Sequence, residues 1–211
     1  MRKVRLLFIL MVGFCLLSGG LVALAPQRAA AAETRVVYDR FDVDIVIDPS
    51  GNFRVTEKQA IVFPVGSYTR ASRNIGLGSV VDVRDIAVSE SGRSYAAGQG
   101  TSTTANTYVT RRSDSALTIE WYFPRTSDQR RDFAISYTIV GGLRINPDID
   151  VLDWTALRPD LSADAKASTV TVQLPQAVAA DQIKTDSRGA PATATIVDGR
   201  TVRFDAGAVN H

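Results

Sequence analysis

The stretch FDVDIVIDPSGNFRVTEKQAIVF, residues 41–63, decides the fold class. Phe41, Val43, Ile45 and Ile47 alternate with Asp42, Asp44 and Asp48, the period-two pattern of a strand with one buried face. Asp48-Pro49-Ser50-Gly51-Asn52 follows, with a preset φ at Pro and a tolerated positive φ at Gly, and Phe53 to Phe63 alternates again. Two strands joined by a turn predict a β-hairpin.

The same reading extends along the chain. Pro64 closes the second strand, and Gly66 to Gly78, with Tyr68, Arg70, Arg73 and Ile75, lacks a clear period and reads as a long ordered loop. Val80 to Val88 reads as a strand and Glu90 to Arg93 as a turn. Ala96 to Asn106, small and polar, is expected as a mobile loop. Tyr108 to Arg112 and the face Leu117, Ile119, Trp121 and Phe123 predict another hairpin, which Pro124 ends. Phe133, Ile135, Tyr137 and Ile139 follow in meander fashion. Thr169 to Leu174 alternates before Pro175, and a short helix is expected at Gln176 to Asp181. Asp198-Gly199, between Thr193–Val197 and Thr201–Phe204, is a two-residue turn of the kind that matches strand twist. Seven to nine short strands with no amphipathic helix predict an all-β, antiparallel β-sandwich of a single domain, residues 36–211.

Before it, Arg2, Lys3 and Arg5 precede the apolar run Leu6 to Ala25, which leads through Pro26 to Ala29-Ala30-Ala31-Ala32. Charged, apolar and small residues in that order make residues 1–32 a signal peptide, with cleavage expected after Ala32; the long apolar run also suits an uncleaved signal anchor. In either case the basic end stays in the cytoplasm and the domain lies outside it. Phe14 before Cys15 argues against a lipoprotein.

The chain's formal charge is +2, but Arg2, Lys3, Arg5 and Arg28 all fall in the leader, which has no acids. The remainder is mildly acidic and lacks a clustered cationic field, so nucleic acid is not an expected partner. Cys15, the sole cysteine, lies in the leader, which leaves no disulfide or thiolate metal site downstream. His211 is both the sole histidine and the last residue, so Ser-His and Cys-His mechanisms and zinc or copper sites are not expected. No phosphate-cradling glycine loop is present, and no cofactor is implied.

Carboxylates remain. Asp148, Asp150 and Asp153, in a Pro-containing turn, are a candidate calcium site, although Asp in turns is common for backbone reasons. Glu57, Glu120 and Asp153 are conceivable members of a glycosidase carboxylate pair. Glu57 and Glu120 are expected on solvated strand faces. Trp121, Tyr122 and Trp154 could form an aromatic platform, but Trp121 shares its face with Leu117, Ile119 and Phe123 and is expected in the core. Arg125, Arg130 and Arg131, beside Asp128 and Asp132, read as a solvated hairpin tip. Arg70 and Arg73 read as exposed loop charges that could grip an anionic partner.

From Tyr38 onward the order of features resembles the N-terminal part of a family of predicted bacterial membrane proteins, domain of unknown function 2207. The resemblance is carried by the 41–63 hairpin with Val55-Thr56-Glu57, by Ser72-Arg73-Asn74-Ile75 and by Trp121-Tyr122-Phe123-Pro124. Phe133 to Tyr137, Asp150-Val151-Leu152-Asp153-Trp154 and Val170 to Pro175 complete it. It implies a signal peptide, an extracytoplasmic β domain, then transmembrane helices. On that comparison the chain is expected to be truncated at its C-terminal end, at His211, since no strand follows to cover the last hairpin's edge. The expected function is a noncatalytic extracytoplasmic interaction or sensing domain of a cell-envelope protein, with an unidentified envelope partner. The alternatives are a carbohydrate-active enzyme and a calcium-stabilised adhesion-like module.

Overall fold

A computed structural model describes residues 35–78, 80–147, 149–157, 163–188 and 191–209. The leader, the Ala32 cleavage site and His211 lie outside the described residues. The strands are β1 (Val37–Ile47), β2 (Phe53–Phe63), β3 (Tyr68–Gly76), β4 (Asp82–Glu90), β5 (Arg93–Ser94), β6 (Ala96–Ala97) and β7 (Thr107–Arg112). They continue with β8 (Ala116–Thr126), β9 (Gln129–Val140), β10 (Leu143–Arg144), β11 (Val151–Leu152), β12 (Ser168–Gln173), β13 (Ala192–Ile196) and β14 (Thr201–Ala206). One 3₁₀ turn, Ala180–Gln182, stands near the expected short helix. No helix among the described residues is long and apolar enough to cross a membrane.

The β1–β2 hairpin forms as its alternation predicts. Asp48 closes it: its Oδ1 accepts the N–H of Ser50 (2.8 Å) and of Asn52 (3.2 Å), and Gly51 takes φ +80°. This is the local side chain to backbone bonding that makes Asp a turn residue. The last hairpin, β13–β14, also forms, but its turn is longer than two residues. Val197 N–H donates to Thr201 O, leaving Asp198, Gly199 and Arg200 in the loop, where Asp198 Oδ1 accepts the N–H groups of Arg200 and Thr201.

The large sheet has the order β13-β14-β12-β1-β2-β9-β4-β5 and the small one β3-β8-β7-β6, with β10-β11 apart. The fold is all-β as the patterning predicts, but the sheets are mixed: β1 pairs with β12, and β6 with β7, in parallel. Alternation encodes which residues face inward and not which strand lies alongside, so the parallel pairings were invisible in sequence.

The small sheet faces the middle of the large one, and the core lies between them. Phe41, Val43, Ile45, Phe53, Val55, Ile61, Phe133, Ile135 and Ile139 of the large sheet meet Ile75, Leu117, Ile119, Trp121 and Phe123 of the small one. Trp121 is fully buried, edge-on to Phe133 at 5.6 Å between centroids, as its shared face predicts.

Several connections depart from expectation. Gly66 to Gly78 holds a nine-residue strand, β3, whose period was obscured by Arg70 and Arg73 at positions that read as loop. β9 does not continue the meander. It leaves β8 through Ser127-Asp128, with Asp128 at φ +48°, and crosses to the large sheet between β2 and β4. Pro124 stays inside β8 because it lies at a bulge. Between the Tyr68–Thr126 and Arg70–Tyr122 pairs, Phe123, Pro124 and Arg125 oppose the single residue Thr69. Ala96 to Asn106 is anchored at both ends: Ala96 and Ala97 pair with Thr107 and Tyr108, and Asn106 N–H donates to Tyr122 O at 2.7 Å.

Candidate functional site

Two clusters of ionisable side chains stand out, one between the sheets and one on the outer face of the small sheet. The first begins at Glu57. The register aligns Phe204, Val170, Val43, Glu57, Ile135 and Val88 across the large sheet, so Glu57 occupies the middle of an otherwise apolar row facing the core. It is 0% exposed, which corrects the expectation of a solvated face. Arg73, 4% exposed and likewise misread as a loop charge, reaches it from β3, with Nε 2.8 Å from both carboxylate oxygens. Tyr137 donates its hydroxyl at 2.7 Å and Gln59 its amide at 3.0 Å.

Arg73 also donates to Asn74 O (3.3 Å) and Ala156 O (2.9 Å), which ties the segment after β11 to the core. The next layer is aromatic. Arg73 stands 5.8 Å from the Phe41 ring, and Trp154 packs edge-on to Phe53 at 5.3 Å and beside Tyr137. Burial works against the Arg73 charge, yet Glu57 leaves its pKa above the ordinary arginine value. Burial and the Glu57 charge hold the Tyr137 phenol well above its ordinary pKa. Burying such a pair is tolerated only where further hydrogen bonds satisfy both partners, and here they do.

The second cluster centres on Glu120 in β8, also buried where a solvated face was expected. Arg70 Nη1 donates to its Oε1 at 3.0 Å, and Arg111 Nη1 to its Oε2. Burial opposes the Glu120 charge, but these arginines, with hydrogen bonds from Arg111 and Tyr122, hold its pKa below the usual glutamate range. Arg70 remains 68% exposed in its side chain. Beside it a groove of about 450 Å³ runs along β3, walled by Tyr38, Ile61, Phe63, Tyr68 and Ala71.

Asp148 lies outside the described residues. Asp150 accepts the Asn146 N–H at 3.4 Å, and Asp153 faces Arg144 at 3.6 Å. Among the described residues no group of three His, Cys, Asp or Glu could hold a metal ion. Glu57 on the inner face of the large sheet and Glu120 on the outer face of the small one do not converge on a shared cleft. Of the expected solvated tip, Arg131 instead lies between the sheets. It grips Glu90 through Nε (2.6 Å) and Nη2 (2.8 Å), donates to Pro124 O and covers Phe123 at 4.7 Å.

Sequence reasoning missed Glu57 and Arg73 although a signal was present. Glu57 shares parity with Phe53, Val55, Ile61 and Phe63, and Arg73 with Ala71 and Ile75. Nothing comparable marks Glu120, whose parity is outward and whose burial comes from Arg70 and Arg111 folding over it.

The family described as predicted membrane protein (DUF2207), N-terminal domain, matches residues 38–210. The chain belongs to this family. No curated protein matches the sequence. Solved structures similar to this member of the family include an M1 zinc metallopeptidase from Deinococcus radiodurans (10% identity, TM-score 0.39, covering 82% of this chain and 39% of that one). Others are yeast LTA4 hydrolase (8%, 0.44, 86% and 29%) and a candidate nutrient-binding protein of Legionella pneumophila (10%, 0.45, 83% and 64%). The chain spans less than two thirds of the length of each, and at TM-scores below 0.5 the likeness carries no functional argument.

Proposed function

We propose that residues 36–211 form a noncatalytic extracytoplasmic domain of a membrane protein, serving interaction or sensing. One observation carries the noncatalytic part. Glu57, the most deeply buried carboxylate in the core, has both oxygens engaged by Arg73, Tyr137 and Gln59, and so is committed to joining the sheets. A general acid or base needs a proton that it can exchange with a substrate within reach, and a carboxylate closed in this way has none. The basic, apolar and small-residue order of the leader supports the extracytoplasmic side, and membership of a membrane-protein family supports the tether.

Placement is tested by Ser72→Cys in a Cys15→Ser background. Ser72 is exposed on β3, so a membrane-impermeant maleimide should label it in intact cells. Labelling that appears only after lysis would put the domain in the cytoplasm. Catalysis is tested by incubating the purified chain with oligosaccharides. No turnover is expected, and saturable hydrolysis lost in Glu120→Gln would overturn the reading.

A further inference from the structure

β3 closes one side of the small sheet, while the large sheet continues past it through β12, β14 and β13. Near Ile75 this free edge is engaged, because Arg73 bonds both Asn74 O and Ala156 O. Over Tyr68–Ser72 it is open: among the described residues, no backbone group of this stretch bonds to any strand but β8. The groove lies along this open stretch.

Three features describe what would fit. The backbone N–H and C=O groups of an open edge are satisfied by another extended backbone. The walls are aromatic and apolar at Tyr38, Ile61, Phe63, Tyr68 and Ala71, with Arg70, Ser72 and Glu120 completing the lining. At the rim, the exposed Arg70 shares the Glu120 carboxylate with Arg111. Two cations against one carboxylate favour an anionic occupant, and Arg70 spends only one of its N–H groups on Glu120.

We propose that the groove takes an extended acidic peptide, which adds to β3 as a further strand of the small sheet and sets a carboxylate against Arg70. Alternate side chains of the peptide would face the aromatic wall. This rests on the reading of the chain as a noncatalytic interaction domain.

The test is selection of a random twelve-residue displayed peptide library on the full chain in detergent micelles, followed by synthesis of the enriched peptides. Enriched sequences should carry Asp or Glu among alternating apolar residues and slow amide hydrogen exchange over Tyr68–Ser72. Their affinity should fall about tenfold or more in Arg70→Gln, the scale of one charge-assisted hydrogen bond. It should be lost when alternate peptide nitrogens are methylated. A melting curve of Arg70→Gln checks that the variant is folded. No enrichment over the bare support, equal binding to Arg70→Gln, or unchanged binding of methylated peptides would overturn the inference. The mass of the recovered peptide separates the two claims. A shortened peptide would refute the noncatalytic reading, whereas an intact one that leaves β3 unprotected sinks only the docking site.

Discussion

Glu57 and Arg73 show how a single ion pair can sit at the centre of an apolar core. Each ion alone would be costly there, and the pair persists because Tyr137, Gln59 and the Asn74 and Ala156 carbonyls complete its hydrogen bonds. Glu57→Gln leaves Arg73 charged and unpaired, so unfolding free energy in urea should fall by about 3–5 kcal/mol. Replacing both residues with Met should cost less than the two single changes added together, since the residues are coupled. Tyr38 makes a pH prediction. Burial raises its phenol from the ordinary 10.0 to about 12. The folded chain therefore keeps a proton that the unfolded chain loses as pH climbs above 10. Stability from this group is complete below pH 10 and declines between 10 and 12, by on the order of 2–3 kcal/mol, and Tyr38→Phe should flatten that part of the alkaline limb in urea titrations.

At the scale of elements, strand assignment depended on how clean the alternation was. β1, β2, β8 and β9 were legible because one parity is almost wholly apolar. β3 was not, because a charged residue, Arg73, occupies an inward position. Turns are held as tightly as strands. A Cβ added at Gly142, just after β9, would stand 2.6 Å from Phe53 Cε1 and 2.7 Å from Ile139 Cγ2, both core side chains. Gly142→Ala should lower stability by about 1–3 kcal/mol, the usual cost of overpacking, measured as a shift in urea midpoint at unchanged slope. An unchanged midpoint would mean that the end of β9 yields freely.

For the whole molecule, the pairings that close the large sheet are distant in sequence. Phe41 pairs with Ser168, and Ala165 bridges Tyr38 on one side and Val209 on the other. Loop closure must precede such contacts, so refolding after dilution from urea should take milliseconds to seconds or longer. Complete refolding within tens of microseconds would show that local hairpins alone limit the rate. Arg131 ties β9 to β4 through Glu90 and donates to the carbonyl of Pro124 in β8, so a second arginine joins the two sheets in addition to Arg73.

The amino-acid sequence by itself determined the all-β class, the first and last hairpins, the burial of Trp121 and the family, because period-two patterning and turn chemistry are local properties of the chain. Tertiary structure alone decided that β1 runs parallel to β12, that Arg73 finds Glu57, and that Arg70 and Arg111 bury Glu120. Those outcomes depend on which strands lie side by side, and a strand's own sequence records its two faces without recording its neighbours.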